Sequence, residues 1–166
     1  MDSTTVPGLR IREAVKQDTA VILALITELA EYENLAHEVT ATQGQLEEAL
    51  FGARPFAEVM IAEYEGESVG FALYFHNFST FLGRPGIYLE DLYVRPDSRG
   101  KGIGRALLVT LAEIAKKRNC GRLEWIVLDS NQPALEFYSK LNAMPLDEWT
   151  VFRLSGTALD DLAAEN

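Results

Sequence analysis

Glu90-Asp-Leu-Tyr-Val-Arg-Pro-Asp-Ser-Arg-Gly-Lys-Gly-Ile-Gly-Arg105 is the stretch that decides how this chain folds. It continues an apolar strand from Ile87 and Leu89 through Leu92 and Val94, then breaks at Pro96-Asp97. Three alternate glycines, Gly100, Gly102 and Gly104, lead into an amphipathic helix carrying Ile103, Leu107, Leu108, Leu111 and Ile114. A glycine turn that feeds a helix presents backbone N–H groups without helical acceptors, at the end where the helix dipole favours negative charge. Arg99, Lys101 and Arg105 crowd three cations around this turn, although the whole chain has a net charge of −10. That local reversal of sign points to a ligand carrying phosphate.

The spacing limits which ligand. No Gly-Lys pair is followed by Ser or Thr, so the turn is not a P-loop. The glycines lack the dinucleotide spacing, and about twenty residues on stand Cys120 and Gly121 instead of a ribose-binding acid.

Working outward, 166 residues with 48% hydrophobic and 24% charged side chains make an ordinary globular chain. A chain of this length buries roughly 70% of its unfolded surface, enough for one core. The net charge of −10 argues against general nucleic-acid binding or an anionic membrane surface. It suits a cationic substrate, or simply a solvated acidic surface. The single cysteine, Cys120, excludes an internal disulfide and fits a reducing compartment. No apolar run approaches ~20 residues and Met1–Gly8 lacks a signal-peptide pattern, so a cytoplasmic location is expected.

Taken in order, residues 1–8 read as a flexible leader, 9–155 as one α+β domain and 156–166 as a short acidic tail. Leu9, Ile11 and Glu13 alternate with Arg10 and Arg12 in an edge-like strand. Asp18 falls in the first turn of a helix whose Val21, Ile22, Leu25, Ile26 and Leu29 trace one apolar face. That helix leaves through Glu28, Glu31, Tyr32 and Glu33, acids that oppose the dipole and are either a solvated face or a wall for a cation. Thr40 or Thr42 opens a second helix. Strands are expected at Val59–Ala62 and Val69–Phe75, joined by a turn at Tyr64-Glu65-Gly66-Glu67. His76–Gly86 reads as a loop with the exposed aromatics Phe78 and Phe81, which either line a substrate channel or pack. Beyond the long helix come a strand over Leu123–Leu128, a helix begun by Asn131 or Gln132 with Pro133, an αL exit at Asn142, and a last strand over Trp149–Leu154. Trp125 and Trp149 suit core or dimer packing. His37 and His76 sit in expected loops without ligand spacing, so no metal is expected.

The glycine turn also matches the pattern Arg/Gln-x-x-Gly-x-Gly/Ala as Arg99-Gly-Lys-Gly102-Ile-Gly104, and Asn131-x-x-Ala134-x-x-Phe137-Tyr138 supplies a second motif. Together they resemble the GNAT superfamily of N-acetyltransferases. Ile11-Arg12, Glu28–Glu33, Phe51-Gly52, Pro55-Phe56, Val69–Ala72 and Tyr88–Asp91 extend the likeness over nearly the whole chain, toward the spermidine/spermine (diamine) and thialysine branch. The resemblance implies a mixed α/β fold: a central, mostly antiparallel twisted sheet of six to seven strands, flanked by about four helices and splayed around an acetyl-CoA cleft. It implies acetyl-CoA as donor, CoA as product, a small amine as acceptor, no metal and a homodimer. It further implies that Leu92, Tyr93 and Val94 pair with the pantetheine arm. Gly100, Lys101, Gly102, Ile103, Gly104 and Arg105, introduced by Arg99, would hold the pyrophosphate, and Asn131 the pantetheine. Asp129-Ser130 and Met144-Pro145-Leu146 depart from the polyamine enzyme's pattern, near where acceptor identity is set.

Acetyl transfer to an amine poses two proton problems. Freeing the lone pair of a lysine-like ammonium at pH 7 costs about 4.6 kcal/mol, and the departing thiolate needs a proton. Seven residues separate Asn131 from Tyr138, two helical turns, so both can face one groove. The resemblance makes Tyr138 the acid toward sulfur; otherwise it is a core-edge tyrosine. An acid within so apolar a strand is expensive unless paired or useful. Glu90 and Asp91 alternate across the strand, so at most one faces the site. The resemblance makes Glu90 the base, acting through water; the plainer role is a carboxylate bonded to backbone or Arg99. Asp91 is structural or orients the substrate, and Glu28, Glu31, Tyr32 and Glu33 are candidates for the acceptor's wall. The competing readings are a protein or peptide N-acetyltransferase and a non-catalytic acyl-CoA-binding regulatory module.

Overall fold

The structure, a computed structural model, describes residues 6–165. Residues 1–5 of the expected leader lie outside the described residues. Two compact units emerge, Met1–Ile126 and Val127–Asn166.

In the first unit β1 (Leu9–Glu13), β2 (Glu58–Tyr64), β3 (Glu67–Ser79), β4 (Arg84–Val94) and β5 (Leu123–Trp125) form one sheet in the order β1-β2-β3-β4-β5. The first four are antiparallel neighbours, while β5 runs parallel to β4. A parallel return needs a crossover, and α3 (Ile103–Lys117) provides it. The helices α1 (Thr19–Tyr32) and α2 (Gln43–Phe51) precede β2. Ile22 and Leu25 of α1 and Leu50 of α2 join Val59, Ile61, Phe71 and Tyr93 in one buried cluster. Strand alternation sends Met60, Ala62, Ala72 and Tyr74 to the opposite face, and α3 contacts the sheet strands from β1 to β5. Ile103, Leu107, Leu108 and Leu111 of the apolar stripe expected from the sequence are buried, joined by Ala106 and Ala115, while Ile114 is half-buried.

Local chemistry explains the boundaries. Thr42 is the cap of α2: its hydroxyl accepts from Gln45 N–H and the Gln45 side chain accepts from Thr42 N–H, a reciprocal capping box. Glu65 and Gly66, both with positive φ, make the two-residue hairpin between Tyr64 and Glu67. Helix α1 ends with Asn34 at φ 58°, where Asn34 N–H reaches Glu31 O and Leu35 N–H reaches Ala30 O. Helix α3 ends in the same way through Asn119 and Cys120. These are Schellman exits, with asparagine supplying the left-handed residue.

The sequence reading errs where pairing partners decide the outcome. The expected loop from His76 to Gly86 is instead the outer half of the β3–β4 hairpin, paired from His76–Ile87 to Ser79–Arg84, so His76 lies in a strand. Its polar and glycine-rich composition suits an exposed ribbon equally well. In the second unit, α4 (Gln132–Ser139) is capped by Asn131, whose Oδ1 accepts from Ala134 N–H. Asn142 adopts φ 59° and Ala143 N–H returns to Tyr138 O, the expected αL exit. Trp149–Leu154 forms no strand among the described residues, and Gly156–Ala163, expected as tail, is helix α5. Side-chain propensity marks Trp149–Leu154 as strand-like, but a strand also needs a neighbour for its backbone groups. The sheet therefore has five strands where six to seven were expected, with five α-helices among the described residues. The class, mixed α/β around a mostly antiparallel sheet, is as expected.

Candidate active site

The site begins with a defect in β4. Leu73 pairs with Asp91 and Tyr74 with Leu89, which leaves Glu90 as an extra residue without a partner. Such a bulge resets the side-chain alternation. Leu89 shares the face of Tyr74, toward α3, while Asp91 and Tyr93 share the face of Leu73 and Phe71, toward α1 and α2. The regular alternation assumed for Glu90 and Asp91 is therefore interrupted at this point. Glu90 is exposed. Asp91 is half-buried, and desolvation, with the charges of Glu90 and Glu33 added, pushes its carboxyl up to about 6. Burial also raises the Glu33 carboxyl. No hydrogen bond or ion pair compensates Asp91 or Glu33 among the described residues.

Beside the bulge the sheet opens. Strand β5 pairs with β4 only from Ile87 to Leu89, so no strand among the described residues covers Glu90–Val94 on that edge. Arg95 N–H donates to Val69 O of β3. By alternation Tyr93 also turns its backbone toward β3, whereas Leu92 and Val94 turn theirs to the open edge. The arrangement leaves the N–H and carbonyl of Leu92 and the N–H of Val94 without a strand partner among the described residues, while Val94 O accepts from Arg99 Nε at 2.7 Å and the Tyr93 ring is buried.

The strand then enters the glycine turn. Gly100 and Gly102 have φ of 75° and 83°, conformations that side chains resist, and a Cβ at Gly100 would meet nothing within 4 Å. The first helical bond of α3 runs from Ala106 N–H to Gly102 O, so the amides of Ile103, Gly104 and Arg105 have no helical acceptor. Arg105 is exposed. Lys101 instead donates to Asp97 O at 2.7 Å, with its ammonium 5.6 Å from the Tyr64 ring centre.

At the end of α1, Arg95 grips Glu28 with Nη2 2.8 Å and Nε 3.0 Å from the two carboxylate oxygens, and burial, with the Glu28 charge added, raises the Tyr93 hydroxyl. Arg95 had no expected role, and an arginine one residue past a strand carries no sequence signal for it. Glu31 and Tyr32 are exposed. Arg99 lies 4.6 Å from the Tyr32 ring centre and 5.5 Å from that of Tyr93, while its Nε donates to Val94 O at 2.7 Å. The first unit thus gathers Glu28, Glu31, Tyr32, Glu33, Asp91 and the glycine turn around one end of β4.

The second unit places Asn131 and Tyr138 at the two ends of α4. Asn131 spends its oxygen on the cap and keeps its amide Nδ2 as a donor. The Tyr138 ring packs 5.4 Å from that of Phe137, centre to centre.

Among the described residues, no group of three or more His, Cys, Asp or Glu is arranged to hold a metal ion. No helix among them is long and apolar enough to cross a membrane.

The sequence profile of the acetyltransferase (GNAT) family matches residues 24–143. The chain is 42% identical to thialysine N-epsilon-acetyltransferase of Bos taurus, over 93% of this chain and 97% of the relative. It is 33% identical to spermidine/spermine N(1)-acetyltransferase-like protein 1 of Homo sapiens, over 99% of this chain and 25% of the relative. Among solved structures, an integron cassette protein from the mobile metagenome of V. cholerae superposes with a TM-score of 0.81 at 28% identity, covering 95% of this chain and 99% of the other.

Proposed function

The chain belongs to the GNAT family of acetyltransferases, and we propose that it moves an acetyl group from acetyl-CoA to a primary amine of a small cationic acceptor: a polyamine, a diamine or a thialysine-like amino acid. The observation that carries the proposal is the combination, within one unit, of a glycine turn suited to an anion with a half-buried, uncompensated carboxylate. Asp91 with Glu33 attracts a cation, and Gly100–Arg105 suits an anion. The relative named for thialysine supports the acceptor class.

The residues fit acetyl-CoA. The amides of Ile103, Gly104 and Arg105 are free for pyrophosphate, with Arg105, Lys101 and Arg99 nearby in sequence. The open backbone groups of Leu92 and the Val94 N–H suit the pantetheine amides, and Asn131 Nδ2 remains to donate. Bound acetyl-CoA would supply an activated thioester.

In this reading Glu90, the exposed bulge residue, takes the acceptor's proton through water, and Tyr138 gives a proton to the leaving sulfur. Asp91, Glu31, Tyr32 and Glu33 hold and orient the cation, while Glu28, already bound by Arg95, acts from behind them. One observation favours a second base: a carboxyl poised at about 6 is better matched to neutral pH than an ordinary one, so Asp91 competes with Glu90 for that role. The run of exposed apolar side chains Met144, Leu146, Trp149, Val151 and Phe152 supports a homodimer as part of the proposal.

The test is thiol release from acetyl-CoA across spermidine, putrescine, thialysine, lysine and a basic peptide. The expected result is turnover with one small amine and a fall in kcat of about 10²-fold in Tyr138→Phe, with acetyl-CoA affinity retained. Turnover only with the peptide would favour a protein acetyltransferase. Binding without any turnover would favour a regulatory module.

A further inference from the structure

Arg99 makes contacts that a phosphate-binding cation does not need. Its Nε donates to Val94 O at 2.7 Å, on the edge of β4 that no strand among the described residues covers. Its guanidinium carbon sits 4.6 Å from the ring centre of Tyr32, the last residue of α1, and 5.5 Å from that of Tyr93. Tyr93 is buried, whereas Tyr32 is 47% exposed and its side chain has no other ring or hydrogen-bond partner among the described residues. Neither Nη of Arg99 has a hydrogen-bond partner among the described residues. Lys101 on the same turn shows the contrast, since it folds back on Asp97 O.

We propose that Arg99 is a positioning residue: by fastening Tyr32 to the open edge of β4, it couples the acceptor side of the site to the acetyl-CoA side. The inference rests on the activity proposed above and deepens it. The residues flanking Tyr32 are Glu31 and Glu33, so whatever fixes Tyr32 fixes the acidic end of α1. A ligand on the β4 edge, or an anion at the glycine turn meeting the free Nη groups, immobilises the same guanidinium. Order imposed on one side is thereby transmitted to the other, and the coupling is reciprocal. Only arginine does this, because its planar group donates in plane while stacking on a ring; lysine offers a single point charge.

Two measurements test it on the full-length protein. The first follows the Arg99 Nε–H resonance by NMR. In the free protein it should exchange slowly and be ring-current shifted, change when acetyl-CoA is added, and lose its shift in Tyr32→Leu. The second compares the KM for thialysine with the acetyl-CoA Kd from calorimetry. Tyr32→Leu should raise that KM about threefold to tenfold while the Kd stays within about twofold, and Tyr32→Phe, which keeps the ring, should recover most of the loss. A wild-type KM in Tyr32→Leu overturns the inference. So does a Tyr32→Phe variant as damaged as Tyr32→Leu, because the hydroxyl would then be touching the acceptor itself. A resonance that ignores acetyl-CoA in a protein that binds it also overturns the inference. Wild-type protein that binds no acetyl-CoA sinks the proposed activity instead, with the Tyr32-dependent resonance still visible. Wild-type protein that binds acetyl-CoA and moves the resonance but leaves thialysine untouched overturns the acceptor and upholds Arg99's link to the acetyl-CoA side.

Discussion

Arg95 reaches from the end of β4 to Glu28 on α1, with Nη2 2.8 Å from Oε1, while its Nη1 holds the Ser68 carbonyl at 3.0 Å. The pair draws the last turns of α1 onto the strand that carries the candidate site. Glu28 also raises the Arg95 guanidinium further above its ordinary value, chiefly through these hydrogen bonds. Glu28→Gln should therefore act on the fold first, lowering stability by about 1–2 kcal/mol in urea unfolding. Its effect on acceptor KM should be smaller than that of Glu33→Gln, which removes an uncompensated charge. The opposite ranking would put Glu28 itself against the acceptor.

Asp91 predicts a trade between stability and function. Its folded carboxyl, at about 6, lies above the ordinary aspartate value near 3.9. Between about pH 4 and 6 the native state holds a proton that the unfolded state has lost, so stability falls as pH rises through that window. Above it the full cost persists. Asp91→Asn should remove that cost and gain roughly 1–2 kcal/mol at pH 7.5, or about 3–6 °C in Tm, with no gain at pH 4. Thermal unfolding at the two pH values checks this, and an equal gain at both would assign the effect to packing. Thialysine turnover should fall in the same variant.

How much of this was legible in the sequence follows from which interactions are local. The hairpin at Glu65-Gly66, the αL exit at Asn142 and the glycine turn all depend on a few adjacent residues and form as read, and of the two threonines read as openers of the second helix Thr42 is the cap. The bulge at Glu90 does not. It exists because β3 and β4 slip by one residue between Leu73 and Tyr74, and neither strand alone records the slip. Burial of Asp91 follows from that slip, so its raised carboxyl was equally hidden. The roles of Arg95 and Arg99 are long-range in the same way: 67 residues separate Arg95 from Glu28, and nothing near Arg99 in sequence announces Tyr32. Trp149–Leu154 shows the converse, strong strand chemistry with no described strand beside it.

The glycines separate packing from ligand binding. A Cβ on Gly70 would stand 2.6 Å from Tyr93 O, a backbone atom that cannot yield cheaply. A Cβ on Gly102 would meet only the Val6 side chain at 3.5 Å, but the backbone there holds φ 83°. Gly70→Ala should cost about 2 kcal/mol through overpacking between β3 and β4. Gly102→Ala should cost about 1 kcal/mol through strain, and should weaken acetyl-CoA several-fold by deforming the start of α3. Unfolding and calorimetry on both variants distinguish the two effects, since Gly70→Ala should change acetyl-CoA affinity least relative to its loss of stability.

The carboxylates at the bulge can be told apart by a ligand whose charge is constant over the pH range used. Between pH 5 and 7.5 Nε-trimethyllysine keeps its trimethylammonium, its α-ammonium and its α-carboxylate, so the pH dependence of its competitive inhibition in that range belongs to the protein. Protonating Asp91 as pH falls through about 6 removes one negative charge from the group formed with Glu33 and Glu90. The inhibition constant should then rise about threefold to tenfold between pH 7.5 and pH 5, as expected for losing one partly solvated charge beside a cation. Asp91→Asn should give a constant already weak at pH 7.5 and flat with pH. Glu90→Gln should preserve the inflection while lowering kcat, because its proposed task is to take a proton rather than to hold the cation. An inflection near 6 that survives Asp91→Asn would move the titrating role to Glu33, whose carboxyl burial also raises. Loss of the inflection in Glu90→Gln would instead show that the neighbouring Glu90 charge is what holds the Asp91 carboxyl up.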